Sequence, residues 1–214
     1  GGGKTENPFF AEWDTPFGAP PFDIIETAHF EPAILEGLTR HNDEIATIFE
    51  DPEAPTFANT IEALDSAGAL MRKSRYVFSA MNGTMTNDEM QAIAKRLAPL
   101  TSKHFDEILL NDDLFQRVKT VHEQRDNLDL GTEQRMLLKE TYQGFVRGGA
   151  ELSPEDKEEL KKINEELSVL TVEFGEHVLK ETNRFGMILD DETDLEGLPD
   201  GVIQAAAEAA AERG

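Results

Sequence analysis

The sequence has no cysteine, one tryptophan, two tyrosines and fewer than half as many basic residues as acidic ones, 20 Lys+Arg against 43 Asp+Glu. Without cysteine there can be no disulfide framework, thiol nucleophile, Cys-ligated zinc or iron–sulfur cluster. The shortage of base leaves a formal net charge of -23 over 214 residues, which repels the phosphate backbone of nucleic acid and the anionic face of a membrane. Neither is an expected partner. No apolar run reaches the length of a membrane span or of a signal-peptide core. A chain of this length can bury one large core or two small ones without covalent staples.

What the sequence does have is apolar residues at helical spacing. Before they begin, Gly1-Gly2-Gly3-Lys4-Thr5 reads as a flexible tether over residues 1–6. It has the form that follows a lipidated cysteine in bacterial lipoproteins, and equally that of a cloning scar. The first origin points to the periplasm or cell envelope; the second leaves the cytoplasm open. From Asn7 to Asp23, Pro8, Pro16, Pro20 and Pro21 stand among Phe9, Phe10, Trp13, Phe17 and Phe22. The prolines forbid regular helix, so this stretch is expected to be an aromatic strap packed on a helical body rather than a ligand-binding aromatic box.

Phe30, Ile34, Leu38, Ile45 and Phe49 define a first helix, and Phe57, Ile61, Leu64, Gly68, Met71 and Phe78 a second. Asp51-Pro52-Glu53-Ala54-Pro55 separates them, with Thr56 as N-cap. Thr86-Asn87-Asp88-Glu89 has the form of a capping box opening a helix expected to bend near Pro99. Further helices are predicted over 112–125 and 132–147, the latter ended by Gly148-Gly149. Ser153-Pro154-Glu155-Asp156 opens the next, over 154–184, with cap, proline and acids suited to a helix start. At about 100° per residue, Leu160, Ile163, Leu167, Leu170, Phe174 and Val178 lie within about 60° of one line, and Val169, Val172 and Leu179 lie almost opposite. A helix apolar on two faces is expected between two layers. Phe185 to Leu189 could form a short strand, Asp190 to Asp200 is acidic, and an Ala-rich helix over 199–213 ends the chain. The expected class is all-α: an antiparallel helical array with a long central helix, the aromatic strap and at most one short strand.

Few residues have a pattern with chemical meaning. Gly3-Lys4-Thr5 copies the end of a P-loop but lacks the earlier glycine and the strand that loop needs. His122-Glu123-Gln124-Arg125-Asp126 begins like the zinc-peptidase helix motif, yet Asp126 stands where the second histidine belongs and no third ligand is apparent. A solvated helix end is the favoured reading. Glu173, His177 and Glu181 follow one another at i, i+4, with His177 and Glu181 near the apolar line; a buried hydrogen-bonded pair, or a helix end that has outrun its core, is favoured over a metal or proton-transfer pair. His104, between Leu100 and Ile108, reads as a satisfied core histidine. Ser66 has Leu64 where a nucleophile elbow needs glycine. No catalytic residue and no metal-ligand set is therefore assigned within the chain.

Several segments, in order, carry a resemblance: Asn7-Pro8-Phe9-Phe10, Pro20-Pro21-Phe22-Asp23, Pro55-Thr56-Phe57-Ala58-Asn59-Thr60-Ile61, Thr86-Asn87-Asp88-Glu89, Phe145-Val146-Arg147-Gly148-Gly149-Ala150, Asn164-Glu165-Glu166-Leu167, Lys180-Glu181-Thr182-Asn183 and Asp194-Leu195-Glu196-Gly197-Leu198-Pro199. Together they resemble the bacterial peptidyl-dipeptidases, or dipeptidyl carboxypeptidases, of the thimet-oligopeptidase-like zinc metallopeptidases. The resemblance implies a two-lobed helical enzyme around a deep channel, with zinc on a His-Glu-x-x-His helix and a later glutamate, none of them in this sequence. Residues 7–214 would match its amino-terminal helical region, without the catalytic zinc domain, and would narrow access to oligopeptides. The parent would need zinc and this chain would hold none; its partner would be its own missing catalytic half. Internal cleavage of short peptides, or a free-standing acidic helical module that binds a protein, are the competing expectations. On the first reading, residues after Arg184 should be loosely packed or self-associated.

Overall fold

The strap, Pro52 and Pro55, and the glycines at 68 and 148–149 divide the chain into eight α-helices in the computed structural model, which describes residues 7–189 and 191–213. These are α1 (Thr27–Phe49), α2 (Ala63–Ser66), α3 (Ala69–Thr84), α4 (Asp88–Leu109), α5 (Asp112–Glu123), α6 (Thr132–Arg147), α7 (Pro154–Arg184) and α8 (Asp200–Arg213), joined by short 3-10 turns and one π-helical segment, Phe57–Glu62. The fold is all-α, with no strand among the described residues. The tether and Gly3-Lys4-Thr5 lie outside them. Two compact units result, one ending at Glu176 and one beginning at His177.

In the first unit α1 is the spine, because its apolar stripe feeds three separate clusters. Phe30 and Ala33 pack with Phe9, Ile25, Val77 and Met90; Ile34 and Leu38 pack with Met71, Ile93 and Leu97. Ile45 and Ile48 join Phe57, Ile61, Leu114, Phe115, Val118, Leu138 and Phe145 in the largest. The middle contact is the closest: a Cβ at Gly37 would lie 2.7 Å from the Cα of Met71 and 2.8 Å from its amide nitrogen. The backbones of α1 and α3 touch there, and only glycine permits it.

Local chemistry agrees with the sequence at some ends and departs from it at others. Thr56 Oγ1 accepts from the Asn59 amide at 3.1 Å while Asn59 Oδ1 accepts from the Thr56 amide at 2.7 Å, a reciprocal cap on the π-helical segment. The Asp51–Pro55 break is held from α5 by buried Arg117, whose guanidinium donates to the carbonyls of Asp51 and Glu53 at 2.8 and 3.1 Å. The single helix expected over Phe57 to Phe78 is instead broken at Gly68, which has φ +79°. Its amide donates to Glu44 Oε2 at 2.5 Å, so a tertiary bond takes the place of helical continuity. The expected capping box at Thr86 is shifted by one residue. Asn87 is the cap, accepting from the Met90 amide at 2.9 Å, and Thr86 donates back to Asn82. Helix α4 continues through Pro99 to Leu109. Gly149, at φ +97°, ends the turn after α6, and Ser153 Oγ accepts from the Asp156 amide at 3.1 Å to start α7.

The strap packs at one end only. Phe9 is fully buried against Phe30, with ring centroids 5.4 Å apart, and Trp13 donates to the Pro8 carbonyl at 2.9 Å. Lys73 from α3 clamps it, with Nζ 4.0 Å from the Trp13 ring centre and bonded to the carbonyls of Phe9 and Ala11. Phe10, Phe17 and Phe22 remain exposed, contrary to the expectation that the whole strap lies on the body. Phe10 carries the Arg40 guanidinium 5.9 Å over its ring, and Phe17 and Gly18 both adopt positive φ in a turn that follows the clamp.

The Gly37 contact predicts that Gly37→Ala lowers stability by about 1–3 kcal/mol through overpacking against backbone that cannot yield. Gly144→Ala in α6, where an added Cβ meets nothing within 4 Å, should instead raise it by about 0.5–1 kcal/mol. Urea unfolding of the two variants beside the parent chain checks the opposite signs.

Candidate functional site

Three places in the first unit gather the groups that sequence reading singled out. The first is a groove between the end of α5 and α6. His122 lies in the last turn of α5, half buried, its ring stacked on that of Tyr142 at 3.9 Å and 3° between planes. The helix ends at Glu123 and residues 123–126 are exposed, as expected of a solvated helix end, but His122 itself is packed. The groove beside it, about 390 Å³, is lined by His122, Arg125, Asp126, Arg135, Leu138, Lys139 and Gln143. Burial, with the Arg125 charge adding, holds the His122 imidazole below its ordinary pKa. Arg135 and Lys139 were not singled out by sequence, although their i, i+4 spacing on α6 puts both on one face.

The second is a histidine pair inside the helical body. His41 Nδ1 and His104 Nε2 are 2.8 Å apart and both rings are buried. His104 was expected in the core; His41 was missed. Its signal was available, since it falls on the α1 stripe between Leu38 and Ile45. Gly68 packs on the His41 ring, 3.1 Å from where its Cβ would be, so the break between α2 and α3 also makes room for the imidazole. His104 is 3% exposed and its Nδ1 has no hydrogen-bond partner among the described residues. Burial, then the neighbouring His41 and Arg75, push its pKa down to about 4; burial and Arg72 also lower His41, against an opposing pull from Glu44. The pair is neutral at pH 7 and acts as a buried polar joint between α1 and α4.

The third is the exposed face of α7. This helix is tied down by polar groups: buried Lys157 bonds the Leu110 carbonyl and Asp112, Asn164 Nδ2 donates to Asp106 Oδ1 at 2.7 Å, and Lys95 pairs with Glu176 at 2.8 Å. Val169 and Val172 on that side are half buried. The opposite line is open, with Ile163, Leu167, Leu170 and Phe174 exposed by 46, 53, 49 and 70%. The expectation that α7 lies buried between two layers is thus corrected: one apolar line is partly covered and the other faces outward. His177 and Glu181, expected inward, are exposed, and Glu173 is half buried. The helix has outrun its core there. In the second unit, residues 185–189 form no strand, and Phe185, Met187 and Ile188 are exposed.

Among the described residues no three His, Asp or Glu are placed to hold a metal ion, and no helix is long and apolar enough to cross a membrane. The clusters that are present pack and position; none pairs a nucleophile with a base. No protein-family profile matches the chain. Individual relatives do. The chain is 38% identical over 98% of its length to dipeptidyl carboxypeptidase of Escherichia coli, covering 31% of that protein. The match to dipeptidyl carboxypeptidase of Salmonella typhimurium is 38% over 97%, again covering 31%. The chain is related to the dipeptidyl carboxypeptidases. A more distant match, 25% identical over 98% of this chain and 26% of the relative, is organellar oligopeptidase A of Arabidopsis thaliana. The chain thus spans about a third of the length of the carboxypeptidases it matches, and the match takes in all three places described above.

The histidine pair sets a pH dependence. Unfolded, the His104 ring binds a proton near pH 6.5; folded, it does so only at about 4. Between those values the unfolded state holds more protons, so stability rises with pH there. It is complete above about pH 6.5 and lost progressively as the pH falls towards 4, by on the order of 3 kcal/mol. Urea midpoints measured from pH 7.5 to 4 should show a smaller acid loss for His104→Gln than for the parent chain. Equal slopes would mean that the buried pair does not govern the acid limb.

Proposed function

We propose that this chain is the amino-terminal helical region of a longer zinc metallopeptidase that releases dipeptides from the carboxyl termini of oligopeptides, and that it forms wall and entrance of the substrate channel. The observation that carries the reading is the identity of 38% to dipeptidyl carboxypeptidase across 98% of the chain. The weaker match to oligopeptidase A, 25% over the same share, makes internal cleavage of short peptides the less favoured activity. The described residues offer no set that fits zinc, so in this proposal the metal, its ligands and the groups that activate water belong to sequence outside residues 1–214, and no catalytic step is assigned to the chain. Residues 7–214 contribute shape: a body held rigid by the α1 contacts, and an outward apolar line on α7 to receive the catalytic part.

That line supports the reading against a free-standing acidic module. Four large apolar residues within about 60° of each other on one helix are costly to leave in water, since burying each is worth about 1.5–3 kcal/mol. A self-contained module would carry polar residues there.

Two measurements test this. The chain alone should release no dipeptide from a blocked tetrapeptide, whereas the longer protein should do so and lose the activity to a chelator; turnover by the purified chain that survives a chelator would overturn the proposal. Leu167→Glu with Phe174→Glu should change the stability of the chain alone by less than about 0.5 kcal/mol, as expected for exposed positions, but lower the stability and activity of the longer protein. An equal effect in both would place the line in contact with the chain's own residues.

A further inference from the structure

The groove at His122 has a charge opposite to that of the protein around it. Among the groups that line it are three cations, Arg125, Arg135 and Lys139, and one carboxylate, Asp126. In a chain with 20 bases and 43 acids, an excess of two positive charges in one recess is against the composition. Nor are the charges used up in the fold. Asp126 lies 3.8 Å from Arg125, but neither Arg135 nor Lys139 has a carboxylate within ion-pair distance among the described residues. Arg135, an exposed residue lining the groove, bonds only through Nε, which donates to the Leu130 carbonyl at 2.9 Å; both terminal nitrogens are without a hydrogen bond among the described residues. Lys139 Nζ makes no hydrogen bond among the described residues. Several other cations are engaged, Lys157 with Asp112, Arg96 with Glu31 and Arg117 with Asp51; what sets Arg135 and Lys139 apart is that two charges without an acid partner line one groove.

The floor is equally defined. Buried Leu138 lines it, as does His122, whose ring is held by stacking on Tyr142 and can donate from nitrogen. The result is a recess of about 390 Å³ lined by the guanidinium and ammonium of two exposed residues, Arg135 and Lys139, by one imidazole and by buried Leu138. Planar, bidentate donors of this kind match carboxylate and phosphate oxygens.

We propose that this groove binds a small dianion, either a phosphate monoester group or a peptide end bearing two carboxylates, with Arg135 and Lys139 as the principal ligands and His122 beside them. Two positive charges in excess select two negative charges. The site is independent of the peptidase reading, because it uses only residues within the first unit.

The test follows the imidazole resonances of the intact chain by NMR while inorganic phosphate, N-acetylglutamate or N-acetylglutamine is added at constant ionic strength. His122 should shift saturably with phosphate, with N-acetylglutamate or with both, at a Kd on the order of 1 mM, and its pKa should rise; His41 and His104 should not respond. Whichever dianion binds more tightly identifies the source. Lys139→Gln, which removes no bond from the fold, should weaken binding about two- to fivefold, and Arg135→Gln with Lys139→Gln should abolish it. Equal binding of the monoanion N-acetylglutamine, a shift of all histidines together, no saturation with either dianion, or unchanged affinity in both variants would each overturn the proposal.

Discussion

Everything in the first unit depends on how near α1 can come to α3. At Gly37 and Met71 the two backbones are in contact, with no room for a methyl group. That approach sets the level of the helices around it. It brings Ile34 and Leu38 against Ile93 and Leu97 on α4, and it places His41 within 2.8 Å of His104. One turn further, Ile45 and Ile48 enter the cluster built by α5 and α6. Interiors packed this closely transmit displacement rather than absorb it, so a shift at residue 37 would be felt at the His pair and at the cap on Gly68. The left-handed Gly68 belongs to the same arrangement, since a Cβ there would lie 3.1 Å from the His41 ring.

Helix α7 shows the opposite logic. It is attached by Lys157, Asn164 and Glu176, each meeting a charged or polar partner, while of its apolar residues Leu160, Val169 and Val172 are only half buried. Asp106 is buried and its carboxyl is pushed above its ordinary range by that burial, partly offset by the Asn164 bond. Polar ties of this sort fix direction and register better than they supply energy. They hold the helix with one face turned outward, as a surface meant for another body would require.

The sequence made the helices visible because their stripes, prolines and paired glycines are local signals. Thr132 to Arg147 and Pro154 to Arg184 were readable to the residue. What could not be read depends on partners distant in sequence. The amide of Gly68 is taken by Glu44 across 24 positions, and no local pattern announces that a glycine on an apolar stripe will break the helix. Asn87 and Thr86 are both good caps; Thr86 is drawn back to Asn82 at 2.8 Å, which decides between them. Periodicity identified α7 as apolar on two faces but cannot say whether a face is covered, because it counts residues and not neighbours. The histidine motif at 122–126 drew notice for metal chemistry. Its structural meaning came from Tyr142, Arg135 and Lys139, contributed by the next helix.

The charge distribution links these observations. With acids exceeding bases two to one, each lysine or arginine is a scarce counterion, and most are spent on structure. Lys73 clamps the strap to α3, Arg117 holds the Asp51–Pro55 turn, Lys157 seats α7 and Arg96 pairs with Glu31. Removing buried Arg117 or Lys157 leaves backbone carbonyls without their donors, which costs more than the bond itself supplies. Arg135 and Lys139 have no acid partner among the described residues and stand on one face of α6 beside a half-buried histidine; unlike the unpaired Lys119 and Arg147, they line the same groove. Structure alone does not require their charge, whereas recognition of an anion does.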